Sequence, residues 1–522
     1  MSRVLNGWRN ILQADRSPWT RALALVLAAT ITSRVLYFCL GVRFDASPLD
    51  YFIQYIDPQL LRCRLLESVY YLHCQPPLFN LFLGLVLKAF PEGYVAAFHC
   101  IYVLFGLVLA VSLFSLAVRL KLSCGLSAAM TILFMVSPAC ILYENWLFYT
   151  YPLAMLLTLA ALMLHRFLSQ GGRVDGLAFF LLLSSLVLTR SLFHLIGFVF
   201  VWGLLLFVSR VPWKRVMAVG SVPFLLVFAL YLKNFCVFGT PATSSWLGMN
   251  LCRMTVLMVP EKERISLVNQ GRLSRCALIY PFSKISDYRG LLPEIPKTGV
   301  PVLDNELKSN GHPNRNHIAY IQVSRLYLRD ALFVLKANPR AYLRGCVDAV
   351  HAFFMPSCDY HFLDKNERFI RPLDRLYDLL VYGRVLPHMD RDASYEGMSR
   401  SRLYLLRFLK TGVLLIAAYA MAFLYGLRVA RKAFSKEPFE SAYALTVLFM
   451  WLTILYVAVV GNALENGENN RFRFMIDPYA LTLLMLFLGS RFSRLLAQPA
   501  AGGAPSFCPK GLIASSCTRR IL

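Results

Sequence analysis

Ten apolar stretches punctuate this 522-residue chain, at about 21–40, 94–118, 123–142, 150–168, 175–190, 191–209, 216–233, 403–427, 440–461 and 474–490. Each approaches the roughly 20 residues that a helix needs to cross a bilayer. Lipid offers the backbone no hydrogen-bond partners, so stretches of this kind fold as helices. The chain is 57% hydrophobic with a mean hydropathy of +0.54, which excludes an ordinary soluble protein. The expected fold is an all-α polytopic membrane protein with about ten transmembrane helices. Ala22 to Leu40 follows Arg3, Arg9, Arg16 and Arg21 and lacks a small-x-small cleavage site, so it reads as a retained helix and not a signal peptide.

The formal net charge of +25 does not point to nucleic acid, because no basic stripe with interleaved aromatics is present. Much of the charge flanks apolar stretches, where it reports topology. Leu78 to Phe90 decides the arrangement: it is apolar but only about thirteen residues long, short for a span. If it does not cross, the N-terminus, Arg119/Lys121, Arg166/Arg173, Arg210/Lys214/Arg215, Arg428/Arg431/Lys432/Lys436 and Arg491/Arg494 all share one side. That side is then cytoplasmic and holds both termini, with the 78–90 helix lying on the outer face. Thirteen scattered cysteines without a CxxC pair give neither a disulfide framework nor a zinc site.

Four regions follow from this topology. Residues 1–235 form an N-terminal membrane module whose first outer loop, 41–93, is acidic. Residues 236–402, with 23 Lys/Arg and 16 Asp/Glu, read as a small, mostly helical exoplasmic domain. Within it Asn316 to Lys336 has helical periodicity, and Asn338-Pro339 ends that helix and starts another. Residues 403–495 carry the last spans with an arginine-bearing outer loop at 461–473, and 496–522 is expected to be a disordered cytoplasmic tail. No internal repeat is visible, which argues against transporters built from inverted repeats.

The outer face holds the residues able to carry chemistry. Asp50 and Asp57 lie seven residues apart, two helical turns, and a carboxylate there suits a general base or a divalent-cation ligand. The alternative is that these acids cap short helices or pair with Arg62 and Arg64. Glu144, beside Tyr143 and Asn145-Trp146, either positions a substrate or sits in an aromatic belt. Gly467-Glu468-Asn469-Asn470-Arg471-Phe472-Arg473 places two arginines on the side where the charge rule disfavours them. Guanidinium forks bind phosphate oxygens, so Arg471 and Arg473 are candidate lipid-phosphate ligands, with Arg190 as a third; the alternative is interfacial snorkelling. Trp246, in the glycine- and serine-rich stretch after the seventh apolar segment, offers a flat surface for a sugar or isoprenoid but also suits an interfacial anchor. There is no Walker loop, GxSxG elbow or dinucleotide fingerprint, so any transfer must draw on an activated substrate.

Asp50 (or Asp57), the run His73-Cys74-Gln75-Pro76-Pro77-Leu78, Glu144, and Glu468 with Arg471 together resemble the membrane-embedded GT-C glycosyltransferases, in particular the family 39-like dolichyl- or polyprenyl-phosphate-sugar transferases. The likeness covers the first 235 residues and, less fully, Gly461 to Asp477. It departs from the family in lacking an Asp-Glu pair, since Tyr51 follows Asp50, and in the two residues that separate His73 from Pro76-Pro77. The resemblance implies inverting transfer of a sugar from a polyprenyl-phosphate donor to a glycan, lipid or protein acceptor on the periplasmic or lumenal face. It implies an Asp base, arginine on the lipid phosphate, and His73, Gln75, Pro76, Pro77, Asn80, Glu468 and Asn470 positioning loop and substrate. A divalent cation (Mg or Mn) is the one cofactor considered. No Asn-x-Ser/Thr sequon occurs, which favours a bacterial inner membrane over the endoplasmic reticulum. The rival readings are a transporter or flippase of lipid-linked sugars, which would line a mid-membrane cavity with charge, and a scaffold binding a partner through its outer domain.

Overall fold

The computed structural model describes residues 17–293, 296–384, 411–433 and 441–497. These residues are helical throughout; the β pairing among them is limited to two isolated bridges, Asp45 with Trp146 and Leu307 with Pro313. The long elements are α1 (Pro18–Cys39), α2 (Leu78–Ala89), α3 (Tyr94–Arg119), α4 (Cys124–Met135), α5 (Pro138–Glu144), α6 (Thr150–Gln170), α7 (Arg173–Thr189), α8 (Leu195–Val208), α9 (Trp213–Phe238), α10 (Leu247–Met254), α11 (Ala319–Ala337), α12 (Pro339–Phe353), α13 (Asp364–Tyr377), α14 (Val413–Ala433), α15 (Ser441–Leu464) and α16 (Asn469–Ala497).

Seven of these helices (α1, α3, α6, α9, α14, α15 and α16) are long and apolar enough to cross a membrane, or eight spans if α4 and α5 count as one. The chain is therefore a multi-pass membrane protein, and among the described residues seven of the ten expected stretches match a helix of full spanning length. Three expected spans account for the difference. The 123–142 stretch bends by 59° where Ser137 caps a new helix and Pro138 has no N–H to continue the old one. The stretches 175–190 and 191–209 become helices of 17 and 14 residues, about 26 and 21 Å at 1.5 Å per residue. Helix α2 has 12 residues, about 18 Å, which is short of a bilayer, as its length in the sequence implies. The expected disordered tail lies outside the described residues, apart from its first two positions, which end α16.

Local signals explain the boundaries. Ser17 Oγ accepts the Thr20 N–H and Pro18 opens α1. Gly171 and Gly239 close α6 and α9 in the left-handed conformation. Most buried apolar residues of the segment 239–384 continue the cluster that fills the membrane helices, and Leu251, Met254, Ala331 and Ala349 form a small cluster of their own. Two of its helices lie backbone to backbone: a Cβ on Gly248 of α10 would stand 1.8 Å from the Ser324 carbonyl oxygen of α11. Helix α12 packs on α15 and α16, and Tyr342 donates to the Ala463 carbonyl at 3.1 Å. This brings the segment against the end of α15 where the candidate site forms.

Candidate functional site

The first loop is held in shape before it meets any ligand. Asn80, one turn into α2, accepts the Ile56 N–H at 2.9 Å and donates to the Gln54 carbonyl at 3.1 Å. Pro77 caps α2, so the Pro76-Pro77 turn ends the loop where α2 begins. His73 is buried between Ser245 Oγ (2.8 Å) and the Asn316 carbonyl (3.0 Å). Burial pushes its pKa down to about 3, so it stays neutral and acts as a structural link.

Above this loop lies a cavity of about 440 Å³. Gln54 and Gln75 reach it from the first loop, and Tyr149 from the start of α6. Arg190 and His194 come from the α7–α8 turn; Trp246, Asn250 and Arg253 come from α10 and its approach. Glu465, Glu468, Arg471 and Phe472 come from the α15–α16 connection. Two buried guanidinium groups share the same aromatic rings. Arg190 stands 4.0 Å from the Phe472 centroid and 5.3 Å from that of Tyr149. Arg471 stands 5.7 and 5.5 Å from the same two, and 4.5 Å from Phe148. Glu468 pairs with Arg471 and accepts the Tyr360 hydroxyl at 2.9 Å. Arg471 nevertheless keeps Nε and Nη1 buried without a hydrogen-bond partner. The Arg190 Nη1 contacts Met475 Sδ at 4.0 Å. Like charges held this close, with donors unspent, suit an anion.

The cavity's two carboxyls differ. Burial pushes the Glu468 carboxyl up, but Arg471 and Arg253 outweigh it and hold it below the usual carboxylate range. Burial, reinforced by Glu468, raises that of Glu465 in spite of Arg190, Arg253 and Arg471 nearby.

A second cavity, of about 380 Å³, adjoins the first and shares His194, Tyr456 and Val460 with it. Its walls are apolar side chains of α6, α7, α8 and α15, among them Leu157, Leu186, Phe198 and Phe449. Phe200 in its lining is 56% exposed, so the groove reaches the surface of the helix bundle.

Several candidates from the sequence stand elsewhere. Asp57 caps the short helix Pro58–Cys63, accepting from Gln59 N, Ser309 N and Ser309 Oγ at 3.0, 2.8 and 2.6 Å. Its oxygens are spent on tying the first loop to the 301–318 segment. Asp50 is exposed in a separate short helix, so the two acids share no helical face, and it does not line the cavity. Glu144 is fully buried against Arg34, with the Arg34 Nη2 at 2.7 Å and the Tyr151 hydroxyl also donating to it. Arg473 spends its donors on the Phe353 and Met355 carbonyls, Ser357 Oγ and Asp477. Asn470 fixes the 356–359 turn through the Pro356 and Asp359 carbonyls at 3.0 and 2.9 Å. Arg190, Arg471, Glu468 and Gln75 do meet in the cavity.

Gln54, Arg253 and Glu465 were not singled out from the sequence, and Trp246 carried no assignment. Among the described residues no three of His, Cys, Asp and Glu converge as a metal-ligating group, so a divalent cation finds no such ligand set there. No protein-family model, curated protein or solved structure matches the chain. The functional reading therefore rests on the cavity itself.

Proposed function

We propose that the protein is a membrane glycosyltransferase that moves a sugar from a polyprenyl-phosphate carrier to a glycan, lipid or protein acceptor on the outer (periplasmic or lumenal) face, in a bacterial inner membrane. One observation carries this reading: an apolar groove shares His194, Tyr456 and Val460 with a cavity lined by Arg190, Arg253 and Arg471, the last with two unpartnered nitrogens. A lipid phosphate has that polarity sequence, with a hydrocarbon chain, then an anion, then the group to be transferred. Arg190, Arg253 and Arg471 against Glu465 and Glu468 leave one positive charge in the cavity, which matches the single negative charge of a phosphodiester.

The chemistry needs a base and a stabilised leaving group. The acceptor oxygen attacks the anomeric carbon, and the bond from that carbon to the phosphate oxygen breaks. Polyprenyl phosphate departs onto Arg190 and Arg471, which stabilise its growing charge. The acceptor proton passes to Glu465, the cavity carboxyl that is not tied to Arg471 and is raised by burial. This reading puts the base on the α15–α16 connection, where the resemblance implied a first-loop aspartate. The test is transfer of labelled sugar from polyprenyl-phosphate hexoses to endogenous acceptors in membranes holding wild type, Glu465→Gln or Asp50→Asn. Loss in the first and retention in the second is expected. Binding of the lipid-linked sugar with no transfer to any acceptor pool would replace the enzyme with a carrier.

A further inference from the structure

The cavity also carries uncharged polar side chains, two of them with unpartnered atoms. Trp246 is 2% and Gln54 8% exposed, and both line the cavity. Trp246 Nε1, a donor, and Gln54 Oε1, an acceptor, are buried without hydrogen-bond partners. The Gln75 and Asn250 side chains line the same cavity. The Trp246 ring is held edge-on by Phe282 at 5.0 Å between centroids, while Asn80 fixes the Gln54 backbone. An acyl chain would satisfy none of these groups, and a bare phosphate needs donors only. A hydroxyl group both donates and accepts.

We infer that Trp246 and Gln54, flanked by Gln75 and Asn250, form a subsite for a neutral, hydroxyl-rich sugar ring attached to the phosphodiester held by Arg190 and Arg471. This rests on the donor reading above and adds which residues recognise the transferred group. A site built to hydrogen-bond a hydroxyl discriminates strongly against ligands that lack it. Phosphatidylglycerol shares the phosphodiester and the hydroxyls, so the test must separate a bilayer lipid from a sugar carrier.

The experiment measures binding of polyprenyl-phosphate hexose, bare polyprenyl phosphate and phosphatidylglycerol to the purified full-length protein, by displacement of a labelled lipid in detergent. Wild type should prefer the sugar-bearing lipid over the bare one by at least about tenfold. Trp246→Phe and Gln54→Leu should each erase most of that preference while keeping affinity for bare polyprenyl phosphate. Arg190→Ala should weaken both lipids. Unchanged preference in both wall variants, an equal fall for both polyprenyl lipids, or displacement by phosphatidylglycerol as effective as by the sugar lipid would each overturn the subsite. Failure of wild type to bind either polyprenyl lipid would overturn the donor reading and the subsite with it.

Discussion

Replacing Arg190 with alanine should remove most of the stability that a polyprenyl-phosphate ligand confers and little of the stability of the free protein. In the free protein the Arg190 guanidinium contacts Met475 Sδ and stacks on Tyr149 and Phe472, with like-charged Arg471 sharing both rings. Its loss breaks no strong hydrogen bond and relieves a repulsion. In the complex it gives charge-assisted bonds to phosphate, which together contribute about 2.7 kcal/mol, a factor of about 100 in affinity. A ligand at about 100 times its Kd stabilises the wild type by about 2.7 kcal/mol. At that same concentration the weakened variant sits near its own Kd and gains only about 0.4 kcal/mol. Thermal unfolding in detergent, with and without polyprenyl phosphate, reads both terms. A ligand-induced shift in Arg190→Ala as large as that of wild type would refute the phosphate assignment. Arg473→Ala is the contrasting control. It strips partners from two carbonyls, from Ser357 and from half-buried Asp477. It should cost roughly 3–5 kcal/mol in stability while keeping the ligand-induced shift.

Glu144→Ala should act on stability and not on turnover: it leaves Arg34 buried without its carboxylate at a cost of roughly 3–5 kcal/mol, read by thermal unfolding, with the folded fraction still transferring sugar. Gly248→Ala forces α10 from α11, because its Cβ would fall 1.8 Å from the Ser324 oxygen; a loss of roughly 1–3 kcal/mol or more is expected in the same assay. His73 is neutral when folded, with its pKa lowered from 6.5 to about 3 by burial. The unfolded chain therefore binds the proton first, and stability falls by about 1.4 kcal/mol per unit as pH drops from 6.5 towards 3. His73→Gln should flatten that stretch of the stability–pH curve. Glu465, raised by burial, should give a rate that climbs with pH above the usual carboxylate range near about 4.3, and Glu465→Gln should lose that limb in a rate–pH series.

The helical class was legible because apolar stretches in lipid have one backbone solution. The number of spans was not, since hydropathy does not register where a helix stops. Arg190 to His194 turn the chain between α7 and α8, and apolar residues on both sides hide the shortening. Asn80 and the Pro76-Pro77 turn were readable as loop-fixing elements because their partners are local. Of the two readings open for Asp57, the structure shows the helix cap, and its second partner, Ser309, had no local signal because it lies 252 residues away. Arg253 and Glu465 escaped notice because the cavity wall joins segments that no spacing rule connects.

Arg471 and Arg473 show why contacts, and not residue type, separate function from structure here. They lie two positions apart at the start of α16, and at about 100° per residue they point to nearly opposite sides of it. Both are almost completely buried, at 1% and 0% exposure. Arg473 faces the 353–357 turn and finds a partner for each nitrogen. Arg471 faces the cavity, and two of its three nitrogens find none. Unpaired buried donors cost free energy, more so when charged, and Arg471 lines the same cavity as unpaired Trp246 and Gln54. An anion bearing hydroxyls satisfies all three at once, and the groove ending at His194, Tyr456 and Val460 supplies its hydrocarbon with a path. Glu144 and Asp57 differ in that their oxygens have partners within the protein, Arg34 and Tyr151 for the first and Gln59 and Ser309 for the second.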